Sequence, residues 1–201
     1  MWVAHIRYED AEGRLRTLYD RVKGPGDNVD NIMLAHSLRP HSMEGHMALY
    51  KNVLHHNANT VPKWFLEVIG VWVSHLNHCA YCVEHHFAGL KRLLADDARA
   101  LEIRAAFERG DPGSAPLTVA EIAALGYAEA LTLRPRDMAE DAVRTLRDAG
   151  WDDGQIVEIN QVTAYFSYAN RTVLGLGIST DGDLLGLSPN NSDDPDDWGH
   201  R

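Results

Sequence analysis

The apolar pattern predicts an all-α fold, one domain of about eight helices. Three observations carry that expectation. Apolar residues recur at three- and four-residue spacing through most of the 201 residues. Almost no stretch alternates apolar with polar long enough to read as a strand. Proline, glycine and short polar residues fall where helices would begin and end.

Taken in order, helical spacing first appears over residues 9–22, followed by a turn-rich loop at 22–30 and a second helix over 41–56. From Pro62 the apolar positions Phe65, Val68, Ile69, Trp72, Val73 and Leu76 form one stripe, with Pro62 suited to the first turn and Thr60 to a cap. After a short turn at Asn77–His78, a helix from about His78 to Leu94 would turn Phe87, Leu90, Leu93 and Leu94 inward. Its basic end, Lys91-Arg92, complements the helix dipole. Further helices are expected over 97–109, 118–132, 138–148 and 153–173, with Thr118, Asp137 and Asp152 as caps and Gly110 and Gly150 as stops. Residues 1–187 would form the helical domain, and the polar, acidic segment 188–201 a mobile tail or one draped over a neighbour.

Composition narrows the function classes. The formal net charge of −10 and scattered basic residues argue against nucleic acid as a partner. No window approaches the roughly 18–20 apolar residues of a membrane span, and the N-terminal segment has neither signal-peptide nor transit-peptide character. A cytoplasmic protein is the expectation. The two cysteines, Cys79 and Cys82, are spaced C-x-x-C. A disulfide closing so short a loop would add little stability, so the pair reads as redox-active, metal-binding or inert.

The neighbouring residues bear on that choice. Cys82 and His86 are i and i+4 on one predicted helix, where an imidazole can take the thiol proton. Cys79 stands three residues before Cys82, within reach of a disulfide once one sulfur is oxidised. Glu67 lies in the middle of the preceding, otherwise apolar helix; antiparallel packing would bring it to His86, where it would orient the ring. The helix dipole favours Cys79 as thiolate and imidazole adjacency favours Cys82; the more local influence selects Cys82.

Glu67, eleven residues, Cys79-x-x-Cys82, three residues, His86 resembles the alkylhydroperoxidase AhpD-like group of the carboxymuconolactone decarboxylase superfamily. Asn77, Tyr81 and Cys82-Val83 fit the same group, and Ala164–Arg171 followed by Leu174-Gly-Leu-Gly-Ile resembles the C-terminal helix of its peroxidase-related branch. The resemblance implies an all-helical homo-oligomer (dimer, trimer or hexamer) that reduces hydroperoxides with no haem, flavin or metal cofactor. By position, Cys82 would be the peroxidatic sulfur, Cys79 the resolving one, Glu67 and His86 the proton relay, and an external dithiol the reductant. Tyr81 stands where some members have a histidine, leaving the relay one titrating group shorter.

Other readings stand beside this one. Cys79, Cys82 and His86, with His78 or another chain's residue, could hold a structural zinc, or the thiols could persist in an idle oligomeric scaffold. The decarboxylase branch is disfavoured because its members generally lack the C-x-x-C. His85, about 100° around the helix from His86, reads as a surface or interface residue. His36, His41, His46, His55 and His56 share no helical face, and Asn170-Arg171 reads as structural.

Overall fold

A computed structural model describes residues 1–189, 194 and 197–201. Among them nine α-helices are present and no strand, so the fold is all-α as expected. They are α1 (Gly13–Val22), α2 (Asn31–Ala35), α3 (Pro40–Tyr50), α4 (Lys63–Leu76), α5 (Ala80–Leu94), α6 (Asp97–Glu108), α7 (Val119–Leu133), α8 (Glu140–Asp148) and α9 (Asp153–Leu176). No described helix is long and apolar enough to cross a membrane.

The core is organised around α4. Every residue from Phe65 to Ser74 is buried, so this helix is enclosed on all sides rather than on one stripe. It packs against α5, α7 and α9. One glycine makes the closest of these approaches. A Cβ at Gly70 would lie 2.3 Å from the Phe166 ring, so the absent side chain lets α9 press its aromatic row onto α4.

Helix ends follow local chemistry. Thr118 and Asp152 cap α7 and α9 in full capping boxes with Glu121 and Gln155. Gly110 and Gly150 follow the last residues of α6 and α8 with φ of 67° and 103°.

Several boundaries differ from expectation. Thr60 is not a cap: α4 begins after Pro62 with no side-chain cap, and Thr60 instead donates its N–H and hydroxyl to Glu158. Asp137 sits in a 3₁₀ turn, Pro135–Asp137, and α8 starts after Ala139. The first expected helix divides into a 3₁₀ turn, Tyr8–Asp10, and α1. The short α2 lies between the expected loop at 22–30 and the helix expected from 41, too brief to show a period. Leu93 and Leu94 are half-buried, and Leu94 packs against the core as expected.

The expected helix 41–56 also changes register. After Tyr50 the chain continues as a π-helical segment, Lys51–His55. Such wide turns bond i to i+5 and favour functional places in helices. Here the widening sets Tyr50 and His55 edge-on, with ring centroids 4.8 Å apart.

Part of the expected tail, residues 190–193, 195 and 196, lies outside the described residues. Of the rest, Trp198 and His200 are buried, and Pro189 and His200 form an isolated antiparallel bridge. Arg92, near the end of α5, donates to the Ser188 hydroxyl at 2.6 Å and to the Arg201 carbonyl.

Candidate active site

The turn between α4 and α5 fixes the site. Asn77 closes α4, and His78 takes a left-handed conformation (φ 56°), tolerable for histidine. Cys79 therefore becomes the N-cap of α5, and Cys82 lies in its first turn. The antiparallel return brings Glu67 of α4 to His86 of α5, with Glu67 Oε2 2.6 Å from His86 Nδ1. Glu67 is almost fully buried, and Gly89 makes room for it: a Cβ there would stand 3.3 Å from Glu67 Oε1. The His86 ring is held edge-on between Phe166 (4.5 Å) and Tyr50 (6.1 Å). The four residues singled out from the sequence are thus neighbours, Glu67 and His86 in direct contact and the two thiols adjacent, both free and buried.

The sulfurs behave as a pair. A hydrogen bond between them lowers the Cys79 thiol below its ordinary range, and that bond together with burial drives Cys82 well above it. One proton is shared, and the first ionisation is favoured at the helix start, where the dipole also acts. Asn170 and Ser74 hydrogen-bond to the Cys82 sulfur, and both favour its thiolate. Asn170 is fully buried, donates to Ser74 Oγ (3.0 Å) and accepts from Asn77 (2.9 Å). The sequence marked Asn170 as structural; its contact with both sulfurs is visible only once α9 is packed on the turn.

The two cysteines line different spaces. Cys82 shares a polar cavity of about 40 Å³ with Glu67, His86, His46, Tyr50 and Asp30. Cys79 lines a separate cleft of about 280 Å³ with His75, His78, Glu84, Arg104 and Phe107. A ligand in the first meets the carboxylate–imidazole pair, and one in the second meets the other sulfur.

The cavity wall gathers residues that sequence reasoning had set aside. His85 is buried, not on the surface: it stacks near Tyr81 (4.4 Å between ring centroids), with Nε2 3.1 Å from Asp183 Oδ2. Asp183 also accepts from the Tyr81 hydroxyl (2.8 Å) and from the Asn31 N–H (3.0 Å). His46 and His200 line the same cavity, each with Nδ1 buried and without a hydrogen-bond partner. Burial drives them down to about 3 and about 4, and it lowers His36 and His55 as well. His41 is exposed and His56 half-buried, away from this wall.

The zinc set does not assemble. His86 is engaged with Glu67, His78 is exposed on the turn, and no three His, Cys, Asp or Glu side chains among the described residues are arranged to hold a metal ion.

No family model and no curated protein matches the chain. Solved structures do. A protein from Ralstonia eutropha JMP134, described as an alkylhydroperoxidase AhpD core and uncharacterized peroxidase-related protein, is 21% identical over 92% of this chain and 95% of its own, with a TM-score of 0.76. An uncharacterized peroxidase-related protein from Silicibacter sp. TM1040 is 24% identical over 77% of this chain and 78% of its own, with a TM-score of 0.67. The debrominase Bmp8, as a cysteine-to-alanine variant in complex with 2,3,4-tribromopyrrole, is 20% identical over 90% of this chain and 92% of its own, with a TM-score of 0.70. The chain has an AhpD-like fold.

Proposed function

We propose that this protein is a thiol-dependent peroxidase, with Cys82 as the sulfur that attacks a hydroperoxide, Cys79 as the resolving thiol and Glu67–His86 as the proton relay. The observation that carries this reading is the 2.6 Å contact between Glu67 and His86, made on the wall of the cavity that Cys82 lines. A carboxylate on one ring nitrogen orients the imidazole and makes the other nitrogen a better proton acceptor.

The attacking form reverses the favoured ionisation, with the shared proton on Cys79 and the charge on Cys82, and Asn170 and Ser74, which hydrogen-bond to Cys82, support it. The Cys82 thiolate attacks the peroxide O–O bond and becomes a sulfenic acid, and the peroxide leaves as an alcohol or water. Cys79 then condenses with the sulfenic acid, releasing water and leaving the disulfide. An external dithiol returns both thiols by exchange, reaching the Cys79 side through the larger cleft.

The size of the cavity supports a small head group. About 40 Å³ admits a few water-sized groups, enough for hydrogen peroxide or the –OOH end of an alkyl hydroperoxide. The reading also carries a homo-oligomer in the cytoplasm.

The test is peroxide consumption driven by dithiothreitol. Wild type should turn over hydrogen peroxide, Cys82→Ser should not, and Glu67→Gln should lose about 10²-fold with the fold retained, within the usual range for acid–base groups. Dimedone should trap a sulfenic acid in Cys79→Ser. Label found only in Cys82→Ser would reverse the two sulfur roles, and wild type no faster than free thiol would end the proposal.

A further inference from the structure

The peroxide reaction needs a second proton event besides removal of the thiol proton by the Glu67–His86 pair. When the O–O bond breaks, the departing oxygen carries negative charge into a buried cavity. An acid on the cavity wall would neutralise it as it forms.

Asp30 occupies that wall. It is 8% exposed, precedes α2, and lines the same cavity as Cys82 and His86. Its Oδ1 accepts from the Asn28 amide at 2.9 Å. Asp183 lies close enough for its like charge to act on Asp30. The two buried carboxylates differ in their surroundings. Asp183 is engaged by the Asn31 N–H, the Tyr81 hydroxyl and His85, a set of donors suited to a carboxylate. A buried carboxyl group with few donors holds a proton more readily than an exposed one, so a fraction of the molecules carry it on Asp30 at pH 7. Burial and the charge of Asp183 raise Asp30 to about 6, while His85 opposes the shift. The other groups facing it are His86 and Tyr81 from α5 and Tyr50 from α3.

Resting on the peroxidase reading, we infer that Asp30 is a further catalytic residue, the acid that protonates the leaving oxygen, and that Asp183, held by Tyr81, His85 and Asn31, is its positioning partner. The step balances. Thiolate and ROOH form an S–O bond as the O–O bond breaks, so sulfur is oxidised and the peroxide reduced. The departing RO⁻ takes the Asp30 proton to give ROH. The proton that His86 removed from the thiol pair then returns the Asp30 carboxylate to the acid. The net change is R′SH + ROOH → R′SOH + ROH.

The leaving group provides the test. Hydroxide leaves hydrogen peroxide poorly and needs the acid; acetate leaves peroxyacetic acid without one. Pre-reduced wild type and Asp30→Asn would each be mixed with either oxidant, and thiol loss followed in a single turnover. Asp30→Asn should slow hydrogen peroxide by about 10²-fold and peroxyacetic acid by less than about threefold. Both rates come from one preparation, so any unfolded fraction cancels in their ratio. Equal slowing with the two oxidants would overturn the assignment, since Asp30 would then be acting on the thiol or the fold. Wild type inert to both would defeat the peroxidase reading itself, a separate and recognisable failure.

Discussion

Acidification should destabilise this protein through histidines that the fold keeps neutral. His46 and His200 are buried, with values of about 3 and about 4 against an ordinary 6.5. A histidine depressed in the folded state adds no pH dependence well above 6.5, where both states are neutral. Below 6.5 the unfolded chain takes up a proton that the folded chain refuses, so stability falls with pH and goes on falling to the folded value. At pH 5 each of the two groups costs about 2 kcal/mol. Asp30 acts the other way: raised to about 6, it recovers about 1 kcal/mol between pH 7 and pH 5 as its carboxylate is neutralised. His36 and His55, also lowered by burial, add to the loss. The net fall is about 3 kcal/mol or more, a large part of the 5–15 kcal/mol typical of a domain. Urea unfolding at pH 7 and pH 5 measures it. His46→Phe isolates one contributor, because phenylalanine fits among Tyr50, Tyr165 and Tyr168 and forgoes only a 3.5 Å contact with the Tyr165 hydroxyl. The variant's pH 7 to pH 5 loss should be smaller by about 2 kcal/mol. Equal losses in the two proteins, or a flat wild-type profile, would refute the argument.

Two further outcomes follow from packing around the thiols. Gly70→Ala places a Cβ 2.3 Å from the Phe166 ring, and the overpacking cost of about 1–3 kcal/mol should exceed the roughly 1 kcal/mol gain in helix propensity; a stabilised variant in urea unfolding would contradict the close approach. Asn170→Ala strips partners from Ser74 and Asn77 and a hydrogen bond from each sulfur. It should cost about 1–3 kcal/mol and shift the pH profile of iodoacetamide alkylation upward; an unchanged profile would remove Asn170 from the site.

The thiol half of the site could be read from the chain because its parts are local or joined by one short turn. Cys79, Cys82 and His86 share two turns of α5, and Glu67 meets His86 once α4 and α5 return antiparallel through Asn77–His78. The rest of the cavity wall has no such signature. Asp30, His46 and His200 come from three separate segments and meet only through tertiary packing, and Asp183, bonded to Tyr81 and His85, comes from a fourth. His85 illustrates the same limit, since helical geometry gives its angle to His86 but not what lies on that side. The π-helical segment after Tyr50 was also illegible, because a widened turn keeps the residue types of an ordinary helix. Thr60 failed as a cap because Glu158, nearly a hundred residues away, captures its N–H and hydroxyl.

The docking of the last residues has a practical consequence for anyone handling this protein. Arg92 grips the Arg201 carbonyl and the Ser188 hydroxyl while His200 walls the thiol cavity. A purification tag fused directly after Arg201 would therefore leave the surface beside the reaction chamber. A polyhistidine tag there would also place adventitious metal ligands near Cys82, confusing redox assays with chelation. Removing residues 198–201 to tidy the terminus would uncover that wall rather than trim an idle appendage. Kinetic comparisons should use protein that keeps residues 198–201 intact.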